Sequence, residues 1–450
     1  MRCIVGLDDT DSKLGHCTTY LGYRLAAELL RQGCTFSRYP RLVRLNPNIP
    51  FKTRGNAAVC LDFETERPDD AFRTADSLLR QLSDVENGAN SGAVFVRGDP
   101  DKEFFRVLYE KTVSRMVSHK RVAKLLADRG IERVTLGNGM GLVGAAASIG
   151  FTEEQDHTYE IIAYRIPENC GSPRVVDEES VRQSEREMFP HVFNSYDYGS
   201  RRMLVAPHGP DPVFIGMRAD SPAAALKAFT MAAYSEVLEG HMIYLSNQCT
   251  DAHLKDRLAF PLSAYSSGWL DGTVESIESG PGGHLYISLS VRNSSVPCAV
   301  YSQAGDLRKM ARRLATGDRL RVSGGVRRAS GRHPPILNVE KIQVISVAAR
   351  LGLENPTCEK CGRRMKSEGK EKGFQCRSCG LTTGDGEKVA VEAPRDIHPG
   401  IHLPSPGAQR HLTKQLVRYG HELCSAQPLI DRWIDPDPVR PLRVPARSPR

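Results

Sequence analysis

Cys358-x-x-Cys361 and Cys376-x-x-Cys379, with fourteen residues between the pairs, constrain this chain more than any other feature. Four thiolates at that spacing close a tetrahedral zinc site. A redox CxxC is the alternative, but two knuckles, each followed by glycine (Gly362 and Gly380), favour zinc. Sulfur in all four positions leaves no water to activate, so the metal is structural: it builds a platform and does no chemistry. Residues 349–385 therefore read as a separate zinc ribbon, and the rest of the chain must divide around it.

A chain of 450 residues is expected to hold two to four domains. Its net charge of +8 is unevenly placed. Residues 301–350 carry +8 and residues 351–450 carry +5, which leaves the first 300 residues at −5. A mildly acidic front and a basic rear suit a molecule whose chemistry and polyanion binding are separate duties. The twelve cysteines are dilute, which points to a reducing compartment rather than a disulfide scaffold. Acids at positions 8, 9 and 11 argue against a signal peptide, and no run of about 18 apolar residues offers a membrane span. The expectation is a cytoplasmic protein with no membrane partner.

Strand and helix alternate through the front of the chain, the α/β signature. Strand 2–7 leads to a helix from Thr18 through Gln32, strand 43–45, strand 57–63, a helix over 70–83, strand 92–98 and an amphipathic helix near 101–129. A second α/β segment follows at 131–260, with a helix over 223–239 and a strand at 241–245. Residues 266–346 change character to five short strands with glycine punctuation and a helix-like stretch at 306–315 before the fourth, the pattern of an oligonucleotide-binding (OB) barrel. The resulting division is 1–130, 131–260, 261–348, 349–385, a C-terminal helical segment at 386–433 whose helix lies near 406–424, and a disordered Pro/Arg tail at 434–450.

The chemistry is concentrated near the N-terminus, where the first strand runs into Asp8, Asp9 and Asp11, then Gly15, Thr18 and Thr19. Hard oxygen ligands favour Mg²⁺, which takes one or two carboxylates and leaves its other positions to water and nucleotide phosphates. A metal held there would neutralise a transferring phosphoryl group. The same residues also suit a solvated turn capping a helix. Lys52, Thr53, Arg54, Gly55 and Asn56 lie in one loop between two strands and form a plausible phosphate cradle, with an ordinary exposed turn as the alternative. No GxxxxGK[ST] is present, so a P-loop enzyme is not expected. The GxGxxG at 137–144 lies mid-chain and reads as a tight loop against a ligand rather than a dinucleotide fingerprint. Cys17 is the one cysteine outside the ribbon placed to react.

In the barrel, Trp269, Tyr286 and Tyr301 are interleaved with Arg308, Arg312, Arg313, Arg319, Arg321, Arg327 and Arg328. Aromatic faces with a basic track are the parts of single-strand recognition, although aromatics also fill barrel cores.

The chain resembles the archaeal isoleucine-tRNA 2-agmatinylcytidine synthetase family. The match is carried by GLDDTDS (6–12), GHCTTYL (15–21), RLNPNIPFKTRGNAA (44–58), GNGMGLVGAAASIG (137–150), HVFNSYD (191–197), GPDPVFIGMR (209–218), NQCTDAHL (247–254), the CxxC pairs and QRHLTKQLVRYG (409–420). The resemblance implies a kinase-like ATP-binding domain, a ferredoxin-like domain, an OB fold and a zinc ribbon. It implies an ATP-dependent ligase that joins agmatine to the wobble cytidine of CAU-anticodon tRNA(Ile), so that AUA is read as isoleucine. It places autophosphorylation on Thr18, Mg²⁺ on Asp8, Asp9 and Asp11, and ATP phosphates near Lys52 and Arg54. Agmatine is a dication and should meet carboxylates or aromatic faces, with Asp197, Asp211 and Asp251 as candidates. Ser91, Met140 and Cys249 depart from the expected family residues. The competing readings are a non-catalytic single-strand nucleic-acid binder and another ATP-dependent RNA phosphotransferase.

Overall fold

The computed structural model describes residues 1–331, 334–369, 372–384 and 387–438. Strands β1 (Arg2–Asp8), β2 (Arg41–Arg44), β3 (Ala57–Glu64), β4 (Gly92–Arg97), β5 (Glu132–Thr135) and β6 (Thr158–Arg165) join strands Val213–Ala219 and Leu238–Ser246 in one sheet. Its order is β5–β4–β1–β3–β2–(Leu238–Ser246)–β6–(Val213–Ala219). The two α/β halves meet where β2 runs parallel to Leu238–Ser246, at Arg41↔Leu245 and Leu42↔Ser246; the ladders within each half are antiparallel. Because both halves share this sheet, they also share one hydrophobic core, from Ile4 and Leu7 across to Met242 and Tyr244.

Helices α1 (Thr18–Arg31), α2 (Pro68–Leu82), α3 (Lys102–Ser114), α4 (His119–Ala127) and α5 (Leu142–Ile149) cover the first half. The single helix expected over 101–129 is broken into α3 and α4, since Arg115 is extended and residues 115–118 turn into the main cavity. The helix expected over 223–239 stops at Met231. Beyond it Ser235 N–H donates to Val175 O and Glu236 takes the buried Arg165 guanidinium, partners that outweigh helix propensity.

The five barrel strands form at Ser267–Ser279, Leu285–Val291, Ser294–Val300, Arg319–Arg327 and Ile336–Ser346, with helix Asp306–Ala311 before the fourth. The barrel closes through a parallel pairing of the third and fifth strands at Cys298↔Leu337 and Ala299↔Asn338. A sixth strand, Gly400–His402, adds to the fifth after the ribbon. Arg395 ties the same stretch to the barrel by a two-pronged bond to the buried Asp318.

The C-terminal helix expected in 386–433 is not an α-helix. Among the described residues its helical structure is two short 3-10 turns, Pro406–Ala408 and Leu416–Arg418. Pro404, Pro406 and Gly407 disfavour helix, and the backbone is committed elsewhere: His411 O accepts from Cys249 N–H (2.9 Å) and Leu412 O from Asp251 N–H (2.8 Å). The segment is a strap running back over the α/β body, where Ile434–Asp435 pairs with Leu238–Ser246. Of the tail at 434–450, residues 439–450 lie outside the described residues.

Candidate active site

A cavity of ≈ 840 Å³ opens between the two α/β halves, and the acid loop, the Lys52–Asn56 loop, the glycine loop at 137–144 and the strap all reach it. Asp8, Asp9, Asp11, Cys17, Thr18 and all five loop residues from Lys52 to Asn56 line it. Asp8 ends β1, paired with Gly92 of β4 one residue beyond the end of the ladder to β3, and Asp9 sits at φ 59°, a left-handed backbone that turns the chain sharply off the strand. Glycines permit this crowding. A Cβ on Gly144 of α5 would strike the Asp8 carboxylate, and one on Gly6 would strike the Ala145 carbonyl. The GxGxxG is therefore a packing device that brings α5 against the acid strand.

Burial, reinforced by the neighbouring carboxylates, pushes the Asp8 pKa well above the ordinary range and Asp9 to about 6; burial also raises Asp11 against the pull of Arg54. Desolvated carboxylates that repel one another have a strong claim on a cation. Among the described residues these three do not converge into a three-donor cluster, as the four ribbon cysteines do. The acid set still fits Mg²⁺, which needs only one or two carboxylates when phosphates complete its shell.

Thr18 begins α1, and its Oγ1 lies 3.3 Å from Thr10 N and 3.2 Å from Thr10 Oγ1. A phosphate on this hydroxyl would sit at a helix N-terminus, where free N–H groups and the dipole favour anions. Cys17 is different: burial and the nearby Asp211 and Asp11 push its thiol up, and its Sγ lies 3.1 Å from Thr19 Oγ1. It is not an activated nucleophile.

Arg54 pins the two loops together. Its guanidinium donates to His16 O (2.7 Å), Ser12 O (3.1 Å) and Gly15 O (3.2 Å), with Asp11 at 3.8 Å and Asp211 at 3.7 Å. Lys52 Nζ donates to Arg54 O at 2.9 Å. Of the three agmatine candidates only Asp211 lines the cavity, beside Arg54 and Arg174 (3.5 Å). Asp197 instead accepts from the N–H groups of Gly199, Ser200 and Gly407, and Asp251 from Lys341, Tyr419 and Lys414 N–H. Both fasten the strap; the short polar turns that hold them look like a ligand loop in sequence.

Glu160, Arg44, Arg218 and His411 also line the cavity; the last three fall within the quoted motifs without a role assigned to them, and Glu160 lies outside every motif. Glu160 and Arg218 are direct partners across β6 and strand Val213–Ala219. The signal available is a charged residue inside an apolar strand, Glu160 in TYEIIAYR.

Outside the cavity, Trp269 is covered rather than free, with the Arg321 guanidinium 3.9 Å from its ring centroid and Asp271 bonded to Arg321 (2.7 Å). Arg312, Arg319, Arg327 and Arg328 are exposed, and Arg313 pairs with Asp396 at 3.1 Å. In the ribbon, Cys358 Sγ and Cys379 Sγ are 3.4 Å apart, as are those of Cys361 and Cys376, and all four lie within 4.8 Å of one another, a set that fits tetrahedral zinc. Among the described residues no helix is long and apolar enough to cross a membrane.

Four family models match in succession: the TiaS TCKD domain over 4–138, the TiaS FLD domain over 139–253, the OB-fold nucleic acid binding domain over 269–345 and the TiaS C-terminal zinc ribbon domain over 355–397. The isoleucine-tRNA 2-agmatinylcytidine synthetase TiaS of Cenarchaeum symbiosum (strain A) is 42% identical over 428 residues, 93% of each chain. That of Methanosarcina mazei is 38% identical, covering 92% of this chain and 97% of the relative. The crystal structure of apo TiaS, an isoleucine-tRNA agmatidine synthetase, superposes with a TM-score of 0.81 at 32% identity, over 93% of this chain and 98% of that one. The crystal structure of TiaS in complex with its isoleucine tRNA, AMPCPP and agmatine does so at 0.78 and 30%, over 93% and 97%. On this agreement of sequence, domain order and fold, the chain belongs to the TiaS family of isoleucine-tRNA 2-agmatinylcytidine synthetases.

Proposed function

We infer that this protein is an ATP-dependent ligase that joins agmatine to C2 of the wobble cytidine of CAU-anticodon tRNA(Ile), forming agmatidine. The observation that carries the reading is the single cavity in which Asp8, Asp9, Asp11, Thr18 and the Lys52–Asn56 loop meet. Its volume of ≈ 840 Å³ is in the range that holds a nucleotide with further substrate groups. The acid loop would hold Mg²⁺, which when bound offsets charge on the transferring phosphoryl group. Lys52, Thr53, Gly55 and Asn56 would face the ATP phosphates, and Arg54 would fix the loop they belong to, its donors being spent on carbonyls of the acid loop.

Phosphorylation is needed because a base carbonyl oxygen is a poor leaving group. Thr18 would take a phosphoryl group from ATP at the head of α1 and hand it to the base oxygen, restoring its own hydroxyl; the agmatine amine would then attack C2 and that oxygen would leave as phosphate. Asp211 is the candidate carboxylate for agmatine, and Met116, Val117, Leu204 and Val205 supply an apolar wall for its methylene chain. The exposed barrel arginines would hold the tRNA backbone, and the structural zinc keeps the ribbon folded beside them. A tRNA substrate favours the cytoplasm as the place of work.

The test is incubation with ATP, Mg²⁺, radiolabelled agmatine and the CAU-anticodon tRNA(Ile) transcript, alongside a transcript with wobble uridine. Label in the cytidine transcript alone is expected. No label despite ATP turnover and tRNA binding would refute the assigned substrates.

A further inference from the structure

One wall of the cavity carries more positive charge than the chain itself satisfies. Arg44 leaves the end of β2 with its backbone clamped: its N–H donates to Asn247 Oδ1 (2.7 Å) and its carbonyl accepts from Asn247 Nδ2 (2.9 Å). Its guanidinium, only 12% exposed, makes no hydrogen bond among the described residues, and its buried Nε has no partner. The nearest carboxylate, Glu160, stands at 3.9 Å, beyond hydrogen-bond reach. Glu160 is already engaged, by Arg218 Nε at 3.3 Å and by the Gln248 amide.

Arg218, 10% exposed, donates from Nε to Gln248 Oε1 (3.1 Å), and its Nη2 faces His411 Nδ1 at 3.3 Å. His411 comes in on the strap. The residue is exposed at the cavity, and the surrounding cations, Arg44 first and then Arg218, Lys52 and Arg410, push its pKa below the ordinary histidine value. With Nδ1 accepting from Arg218, the remaining ring N–H is on Nε2. Glycine at 55 keeps the gap open, because a Cβ there would run into Arg44 Nη1 and lie 3.0 Å from His411 Nε2. A desolvated guanidinium with unspent donors, a second guanidinium and an imidazole N–H face a single occupied carboxylate. Such an arrangement is costly unless an anion fills it.

We propose that Arg44, Arg218 and His411 form a phosphate-binding corner, distinct from the acid loop and occupied by a phosphate oxyanion in the working enzyme. Two sources offer that chemistry: the phosphate expelled from the activated cytidine, or a phosphodiester next to the wobble nucleotide. Naming the source rests on the reaction proposed above; the corner itself does not. In the displacement, the agmatine nitrogen lone pair forms the C2–N bond and the C2–O bond breaks with its electrons going to the phosphate. The phosphate takes the proton that the nitrogen sheds, leaving as hydrogenphosphate. Two guanidiniums and an N–H donor hold charge that grows during that step.

Orthophosphate binding to the full-length protein, followed by phosphorus NMR line broadening, reads the corner without turnover. Arg44→Gln should weaken it by about tenfold or more, and Arg44→Lys should restore part of the loss, since Lys keeps the charge but not the fork. Equal phosphate affinity in wild type and a folded Arg44→Gln variant overturns the proposal. So does an Arg44→Gln loss that appears for ATP and vanishes when ATP saturates the site, because the corner would then belong to the nucleotide. Orthophosphate inhibition of turnover that Arg44→Gln relieves about tenfold identifies the expelled phosphate. A methylphosphonate beside the wobble cytidine that weakens binding to wild type about tenfold, but not to Arg44→Gln, identifies the RNA backbone. Failure of the transcript to be modified would refute the assigned reaction while leaving the phosphate result standing.

Discussion

The zinc ribbon and the candidate active-site cavity both gather like charges, and they are held together in opposite ways. In the ribbon the four thiol sulfurs come from 22 consecutive residues and lie within 4.8 Å of one another, over a core that among the described residues consists of Cys358, Met365, Phe374 and Cys376 with Cys379 and Leu381 packed against it. Nothing but a cation can reconcile that density of thiolates with so small an apolar core. In the cavity Asp8, Asp9 and Asp11 do not converge on a point, and they rest on the large core shared by both α/β halves. The contrast separates two uses of a metal. Where the core is missing, an ion can substitute for it; where the core is ample, the protein can keep Asp8 and Asp9 desolvated, with Asp11 paired only loosely to Arg54 at 3.8 Å, the setting in which we propose that Mg²⁺ binds.

The largest expected effect tests the cavity side of that contrast. Thr18→Ala and Asp8→Asn should each lower agmatine incorporation by at least about a thousandfold, with thermal unfolding of the α/β body unchanged or shifted upward. Substantial incorporation by either variant breaks the assignment of nucleophile and cation site. The ribbon should respond the other way. Cys358→Ser, or a zinc-selective chelator with Mg²⁺ in excess, should unfold residues 355–397 while ATP binding persists, and should weaken tRNA binding by about tenfold to a hundredfold. Loss of ATP binding in Cys358→Ser would mean that the ribbon supports the cavity and that the two regions are not independent.

What can be read from the sequence follows the same division. The CxxC pairs, the acid strand and the five barrel strands are each announced by a pattern within a short stretch of sequence, whatever the distance to their partners, and the structure forms each of them. The shared sheet depends on two residue pairs, Arg41↔Leu245 and Leu42↔Ser246, some two hundred positions apart, and no period in the sequence announces them. The strap reads as helix because QRHLTKQLVRYG has helical propensity. Its backbone instead bonds to residues 249 and 251, and tertiary partners win over propensity when they satisfy the same donors and acceptors. Arg44, Arg218 and His411 fall inside the quoted motifs but carry no role there, and Glu160 lies outside all of them: each sits on a different element, and only the fold brings them to one wall.

A stability measurement sharpens the contrast further. Asp9 has its pKa raised from 3.8 to about 6, chiefly by burial and then by Asp11. A carboxyl whose folded pKa is raised contributes stability that is fully present below pH 3.8 and is lost as pH rises through about 6. At about 1.4 kcal/mol per pKa unit, the metal-free fold gives up no more than about 3 kcal/mol at pH 8. Asp9→Asn should therefore raise unfolding free energy at pH 8 by up to about 3 kcal/mol, and by almost nothing at pH 3.5. Mg²⁺ should narrow the difference by stabilising the wild type alone. A variant equally stable to wild type at both pH values would remove the claim that the acid loop is held under electrostatic strain.

The smallest effect concerns the barrel, where the arginines are not equivalent. Arg327 and Arg319 are exposed at the ends of one strand, Arg319–Arg327, whereas Arg321 between them is bonded to Asp271 and lies over Trp269. A guanidinium already neutralised by a carboxylate displaces few counterions when RNA binds, so its loss should leave the salt dependence of binding nearly unchanged. Arg327→Ala should lower the slope of log affinity against log salt by about 0.7 to 0.9, the value of one phosphate contact. Arg321→Ala should weaken tRNA binding by only about twofold, or strengthen it slightly, because removing the stacked guanidinium uncovers the Trp269 face for a base. A slope change in Arg321→Ala as large as that in Arg327→Ala would show that RNA displaces Asp271 from its arginine. The covered tryptophan would then open on binding, and the barrel, like the acid loop, would be completed only by its substrate.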